Sequence, residues 1–228
     1  MHRFLQIYNI FIMKKILLFA SIVALFASCT SKSSFELEVN IHNNNSLINK
    51  QLVVTQRIDG MTVYTDTLKI KKTNFLLMLP FKGPALLDVN ILESNVYNIM
   101  MASEKGKIQL NIEGTKPYFS GTPINDRLQA FYLGNDSVFL LSKEYEKEYD
   151  LLRSTENFTP KVKEEFDQKF DQLLSDNTDR IIAFIKENID NPIGEYYFSV
   201  NYITFIPERK AELRSFASEK LKKEFRFE

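Results

Sequence analysis

Thiol and imidazole chemistry have little to work with in this chain. Its 228 residues include one cysteine, Cys29, two histidines, His2 and His42, and no tryptophan. A single cysteine forms neither an internal disulfide nor a C-x-x-C redox pair. A Ser-His-Asp arrangement would have to use His42, which ends a strand-like run and opens the polar stretch Asn43-Asn44-Asn45. No G-x-S-x-G elbow accompanies it, so a solvated turn residue is the simpler meaning of this histidine. Metal sites need clustered ligands, and no EF-hand loop of alternating acids is present. Asn43, Asn44, Asn45, Asn135 and Asp136 carry oxygens that suit calcium, yet turn formation accounts for all of them. With 29 acidic residues, sequence separation alone does not single out a carboxylate pair for glycoside hydrolysis. The sequence therefore predicts no catalytic residue, no metal ligand and no cofactor.

The position of Cys29 gives it a different meaning. It follows Met13-Lys14-Lys15, an apolar run from Ile16 to Ala27, and the small pair Ala27-Ser28. A charged start, a short apolar core and small residues before a cleavage point make a secretory signal over residues 1–28. As a helix the apolar run reaches about 18 Å, against about 30 Å of hydrocarbon, so it is too short to span a bilayer. Extending it backwards through Phe4–Ile12 would bury Lys14 and Lys15 at about 2.5–3.5 kcal/mol each, which favours Met13 as the true start. The segment Leu25-Phe26-Ala27-Ser28-Cys29 resembles a bacterial lipobox, with Phe26 where leucine is commonest. The resemblance implies that Cys29 carries lipid, and residues 29–34 read as a polar tether. The alternative is an ordinary signal peptide with an incidental cysteine. In some lipoproteins of the kind this segment resembles, an acidic cluster after the cysteine directs the protein to the cell surface; Thr30-Ser31-Lys32-Ser33-Ser34 holds none, so the resemblance implies the periplasmic face of the outer membrane.

Without residues 1–28, Arg3, Lys14 and Lys15 are lost, leaving 26 basic against 29 acidic residues. There is no basic excess to support nucleic-acid binding. Two hundred residues suffice for a core in one or two domains.

Two stretches with different periodicity must position whatever the chain does. Over 35–122 apolar and polar residues alternate, beginning with Phe35-Glu36-Leu37-Glu38-Val39-Asn40-Ile41. Further strands are predicted near 51–57, 62–70, 74–80, 84–92, 96–102 and 107–113. They are separated by Asp59-Gly60, Lys72-Thr73-Asn74, Lys82-Gly83-Pro84 and Lys105-Gly106. About seven short strands predict an antiparallel β-sandwich or open barrel. Over 123–228 the period becomes helical. One helix carries Leu128, Phe131 and Tyr132 and is expected to kink at Gly134-Asn135-Asp136. A second starts with Thr159 as cap and Pro160 in its first turn. A third opens at Asn191-Pro192, and a last charged helix runs from Pro207 through Lys223. The fold class is thus α+β, with an antiparallel all-helical unit after the β domain.

Phe119-Ser120-Gly121-Thr122-Pro123-Ile124-Asn125-Asp126 resembles the SGT-x-x-N signature that closes domain of unknown function 4369, a β domain of Bacteroidetes lipoproteins. Asp66 through Phe75 is similar to that family's hairpin, with Lys72-Thr73-Asn74 in place of its glycine turn. Glu104-Lys105-Gly106-Lys107-Ile108 is similar to its E-x-G-x-I turn. Phe184-Ile185-Lys186-Glu187-Asn188, with Asn191-Pro192, is similar to a helix junction often found after it. Many members continue into a thioredoxin-like domain with a C-x-x-C pair, which has no counterpart here, so no redox role passes to any residue. The resemblance implies a lipid-anchored envelope protein and assigns no activity to the β domain.

Three expectations follow. The first is a non-catalytic lipoprotein that binds a protein, a glycan or a small ligand. The second is the accessory half of a thiol-disulfide oxidoreductase cut off before its catalytic domain. The third is an enzyme using unrecognised carboxylates or hydroxyls. Ser120–Asn125 allows two readings, a backbone approach to a ligand at Gly121 or a strand-to-helix joint, and the joint is favoured. An exposed patch using Phe139, Tyr196, Tyr197 or Phe205 would favour a partner interface.

Overall fold

Alternation of apolar residues produces the first strand, β1 (Ser34–His42), in which Phe35, Leu37, Val39 and Ile41 are buried. The computed structural model describes residues 33–96, 98–155 and 158–227. The leader over 1–28, Cys29 and tether residues 30–32 lie outside the described residues, and Ser34 is already part of β1. Strands β2 (Gln51–Ile58) and β3 (Met61–Lys69) form a hairpin through Asp59 and Gly60, with φ of 52° and 74°. Positive φ at both central residues is what a two-residue turn needs to match strand twist. There follow β4 (Asn74–Pro80), β5 (Ala85–Ile91), β6 (Ile99–Ser103), β7 (Lys107–Glu113) and β8 (Lys116–Ser120).

The strands make two four-stranded sheets, ordered β4-β1-β7-β8 and β3-β2-β5-β6. Leu37, Val39 and Ile108 from the first and Leu52, Val54 and Leu87 from the second are fully buried in one shared core. The architecture is therefore a sandwich of two sheets rather than a barrel.

The α+β reading holds, a two-sheet β unit followed by helices, and three details of it differ. There are eight strands among the described residues, where about seven are expected. The additional one, β8, contains Pro117, which a sheet tolerates at an edge such as β8 occupies. Secondly, the pairing is not wholly antiparallel. β1 and β7 run parallel, with Leu37 opposite Ile108 and Val39 opposite Leu110. Thirdly, the predicted strand at 96–102 starts only at Ile99, because Ser94 Oγ accepts from the Val96 N–H in a preceding turn.

Helix α1 (Pro123–Arg153) runs unbroken through Gly134-Asn135-Asp136, so these residues do not interrupt it. From α2 (Pro160–Glu187), Arg180 lies over Gly134 and donates to the Phe131 carbonyl at 3.0 Å and to Asn135 Oδ1. Thr159 caps α2 as expected, accepting from Val162 N at 3.3 Å. Asn191 caps α3 (Pro192–Thr204), accepting from Ile193 N at 3.0 Å and Gly194 N at 3.3 Å. The last predicted helix is two short ones, α4 (Pro207–Ser215) and α5 (Glu219–Glu224), divided where Ser218 takes over as a cap. Helix α1 packs on β6 and β8, and α3 packs on β5 and β6. Phe131 of α1 stacks on Phe184 of α2 with centroids 4.1 Å apart, and Tyr197 of α3 meets both rings edge-on. A second cluster of Phe198, Leu213 and Leu221 is finished by Tyr202, Phe225 and Phe227. No helix among the described residues is long and apolar enough to cross a membrane.

Candidate functional site

The signature around Gly121 folds into a joint whose polar groups are used within the chain. Asn125 is fully buried. Its Oδ1 accepts from Ala102 N at 2.9 Å and its Nδ2 donates to Ala102 O at 2.9 Å and to Thr122 Oγ1 at 2.7 Å. Since β6 is the last strand of its sheet, the amide stands where a next strand would stand and satisfies both outward backbone groups of Ala102. Glu104 Oε2 accepts from Ile124 N at 2.9 Å and Asn125 N at 3.3 Å. That carboxylate serves the unpaired N–H groups of the first turn of α1, where a negative charge is favoured. Thr122 holds the N-cap position, but its hydroxyl does not cap the helix. Gly121 has φ of 101°, its N–H donates to Asp126 Oδ1 at 2.9 Å, and an added Cβ would collide with the Lys107 carbonyl. The close approach that glycine permits here is to the chain's own β7.

The second motif behaves in the same way. Asn188, 1% exposed, donates to the Phe184 carbonyl at 2.9 Å and accepts from Arg127 Nε at 3.2 Å and Asn191 Nδ2 at 3.1 Å. It ties α1 to the α2–α3 junction, and Gly194 leaves room for the Asn188 carbonyl.

Charged side chains converge elsewhere, in a cleft of about 300 Å³ between the β2–β3 turn, α3 and α5. Arg57 on its wall is ion-paired with Asp88, whose side chain is 5% exposed and faces the helices from the middle of β5. Lys220 reaches Asp59 on the turn and Glu195 Oε2 on α3, the latter at 2.5 Å. Burial alone would lower the Lys220 ammonium, but its bonds to Asp59 and Glu195 outweigh that and raise it above the ordinary 10.5. Two of the carboxylates in the cleft are thus engaged by one lysine, which clasps α5 and α3 to the sheet. Glu224 and Tyr196 complete the rim. The Tyr132 and Tyr197 hydroxyls, on α1 and α3, are hydrogen-bonded to each other, and burial raises both phenols above 10.0.

The residues singled out from sequence separate into groups. His42 is exposed at the end of β1, and its carbonyl accepts from Gly114 N at 3.0 Å. Asn43 and Asn44 donate to Glu113 Oε1 at 2.5 Å and to the Gly114 carbonyl at 2.6 Å, joining two turns. Among the described residues no three His, Cys, Asp or Glu side chains stand together in a metal-holding group. Tyr145 and Tyr149 turn inward against Phe170 and Phe166, with centroids 6.2 and 5.7 Å apart. Of the four patch candidates, Phe139 and Tyr196 are exposed while Tyr197 and Phe205 are half-buried. Tyr196 begins an exposed row, Tyr196, Val200 and Ile203 on α3, followed by Ile206, with Ile203 72% exposed. Sequence reading passed over Arg57, Asp88 and Lys220. An acid inside the apolar run Leu86-Leu87-Asp88-Val89 was the available signal.

Comparison of the chain with protein-family models, with curated proteins and with solved structures finds no match.

Proposed function

We propose that this protein is a non-catalytic binding module of the cell envelope, held at the membrane by lipid on Cys29 and presenting α3 to a protein partner. The observation that carries the reading is the row Tyr196, Val200, Ile203 and Ile206. These positions recur every three or four residues, all are apolar, and all are at least 38% exposed. The only charge on α3 is Glu195, which is engaged by Lys220. A helix that is apolar on its core side and on its open side as well belongs in a buried setting, and exposed contiguous apolar surface marks interaction sites. The signature residues support the same reading, since Gly121, Asn125, Asn188 and Asn191 are committed to joints. The test is a photocrosslinking side chain at position 203, compared with one at Gln109 on the far sheet, in cells making the full chain. A discrete adduct from 203, absent from 109 and lost with Val200→Asp, is the expected result. Equal crosslinking from both positions would refute the reading.

A further inference from the structure

Two helices flank an open surface groove of about 300 Å³ that is separate from the cleft and from the exposed row of α3. Helix α1 contributes Arg127, Ala130 and Gly134, and α2 contributes Arg180, Ala183 and Glu187. The Phe131–Phe184 stack lies beneath. Arg57 and Arg209 each have a carboxylate partner. Like Arg127, which also lines the groove, Arg180 has none among the described residues. It is fixed instead by neutral acceptors: the Phe131 carbonyl, Asn135 Oδ1 and Asn177 Oδ1 at 2.7 Å, with the Phe131 ring 5.0 Å from its guanidinium carbon. Its Nε is buried and unpaired.

A guanidinium stays protonated and carries five N–H donors, and a charge withdrawn from water without a counter-ion is costly. Neutral acceptors orient Arg180 without cancelling its charge. Arg127, whose Nε is given to Asn188, stands near the other end with Glu187, so the groove as a whole carries one surplus positive charge. That balance suits a single negative charge better than a phosphate monoester, which carries about −1.5 to −2. The small side chains of Ala130 and Ala183 leave room for an apolar body, and the volume lies at the lower end of small-ligand sites.

We propose that the α1–α2 groove binds a monocarboxylate with an apolar body, its carboxylate on Arg180 and its body over Ala130 and Ala183. Desolvation lowers the Arg180 guanidinium from its ordinary value, in keeping with a charge that lacks compensation. The buried Nε–H supplies a resonance for the test by ¹⁵N-correlated NMR on the mature chain, with phenylacetate, phenylacetamide and phenyl phosphate as probes. Phenylacetate is expected to shift the Arg180 Nε–H signal saturably, and phenylacetamide is not. Ala130→Trp fills the exposed floor without touching the bonds of Arg180 and should weaken phenylacetate binding at least tenfold. Arg180→Lys should abolish it, with Ala130→Trp as the control should the lysine variant fold poorly. No saturable shift, an equal shift with phenylacetamide, or undiminished binding by Ala130→Trp would overturn the site. Tighter binding of phenyl phosphate would overturn the carboxylate assignment.

Discussion

Replacing Asn125 by alanine removes an amide that stands in for a missing strand. Ala102 is fully buried, and its outward N–H and C=O both bond to Asn125, each at 2.9 Å. Leaving a buried backbone group unpaired costs about 1–3 kcal/mol, so the two together cost about 2–6 kcal/mol. Domains are stable by about 5–15 kcal/mol, and the substitution therefore removes a large share of the total. For a chain of this size 1 kcal/mol moves Tm by about 2–4 °C, so a fall of about 10 °C is expected. Because the chain has no tryptophan, urea unfolding is best followed by far-ultraviolet circular dichroism. Asn125→Asp separates geometry from charge. Its carboxylate could accept from Ala102 N but could not donate to Ala102 O, and it would stand beside Glu104, whose Oε2 lies 3.4 Å from Nδ2. The buried aspartate's pKa would be raised by burial and by Glu104, so protonation should restore part of the lost stability as pH falls from 7 towards 4. A loss below about 0.5 kcal/mol for Asn125→Ala, the range of ordinary surface changes, would refute the reasoning that the amide completes the edge of β6.

Gly121→Ala should destabilise the protein by more than about 1 kcal/mol, because φ is 101° and the new Cβ meets the Lys107 carbonyl; unfolding of a purified variant measures this. Phe184→Ala removes the ring stacked between Phe131 and Tyr197 and should cost about 3–5 kcal/mol in a denaturant titration. Lys220, Tyr132 and Tyr197 all have folded-state pKa values above their ordinary ones. Their contribution is complete below pH 10 and is lost as pH rises through the folded values, so stability should fall in alkali. Lys220→Met should cost only about 0.5–1 kcal/mol at neutral pH, since the ammonium is partly exposed and screened by salt. Stability that holds unchanged to pH 12 would contradict the direction of these shifts.

What the sequence made legible is what local periodicity encodes. The alternation from Phe35 to Ile41, the turn at Asp59-Gly60 and the caps at Thr159 and Asn191 each involve residues a few positions apart, and each formed where expected. The misses lie where distant segments decide. At Gly134 helix α1 runs on without interruption, and Arg180 from another helix occupies the space a side chain there would need. The parallel pairing of β1 with β7 joins residues about 70 positions apart, such as Leu37 and Ile108, and no turn signal announces it. Strand β8 was obscured by Pro117, which only an edge position admits. The joint at Ser120–Asn125 forms as expected, but the N–H groups of its first helical turn are served by Glu104, twenty residues before Ile124, and not by a neighbouring hydroxyl. The cleft is composed from β2 and the turn after it, β5, α3 and α5, and the Arg180 groove from α1 and α2, so neither leaves a compact motif.

Attachment at Cys29 underlies the proposed placement in the envelope. The most direct measurement is incorporation of radiolabelled palmitate into the full chain and into Cys29→Ala. The account predicts labelling of the first and none of the second, with the mature protein beginning at Cys29 by mass spectrometry. Equal labelling of both, or no labelling of either, would contradict it.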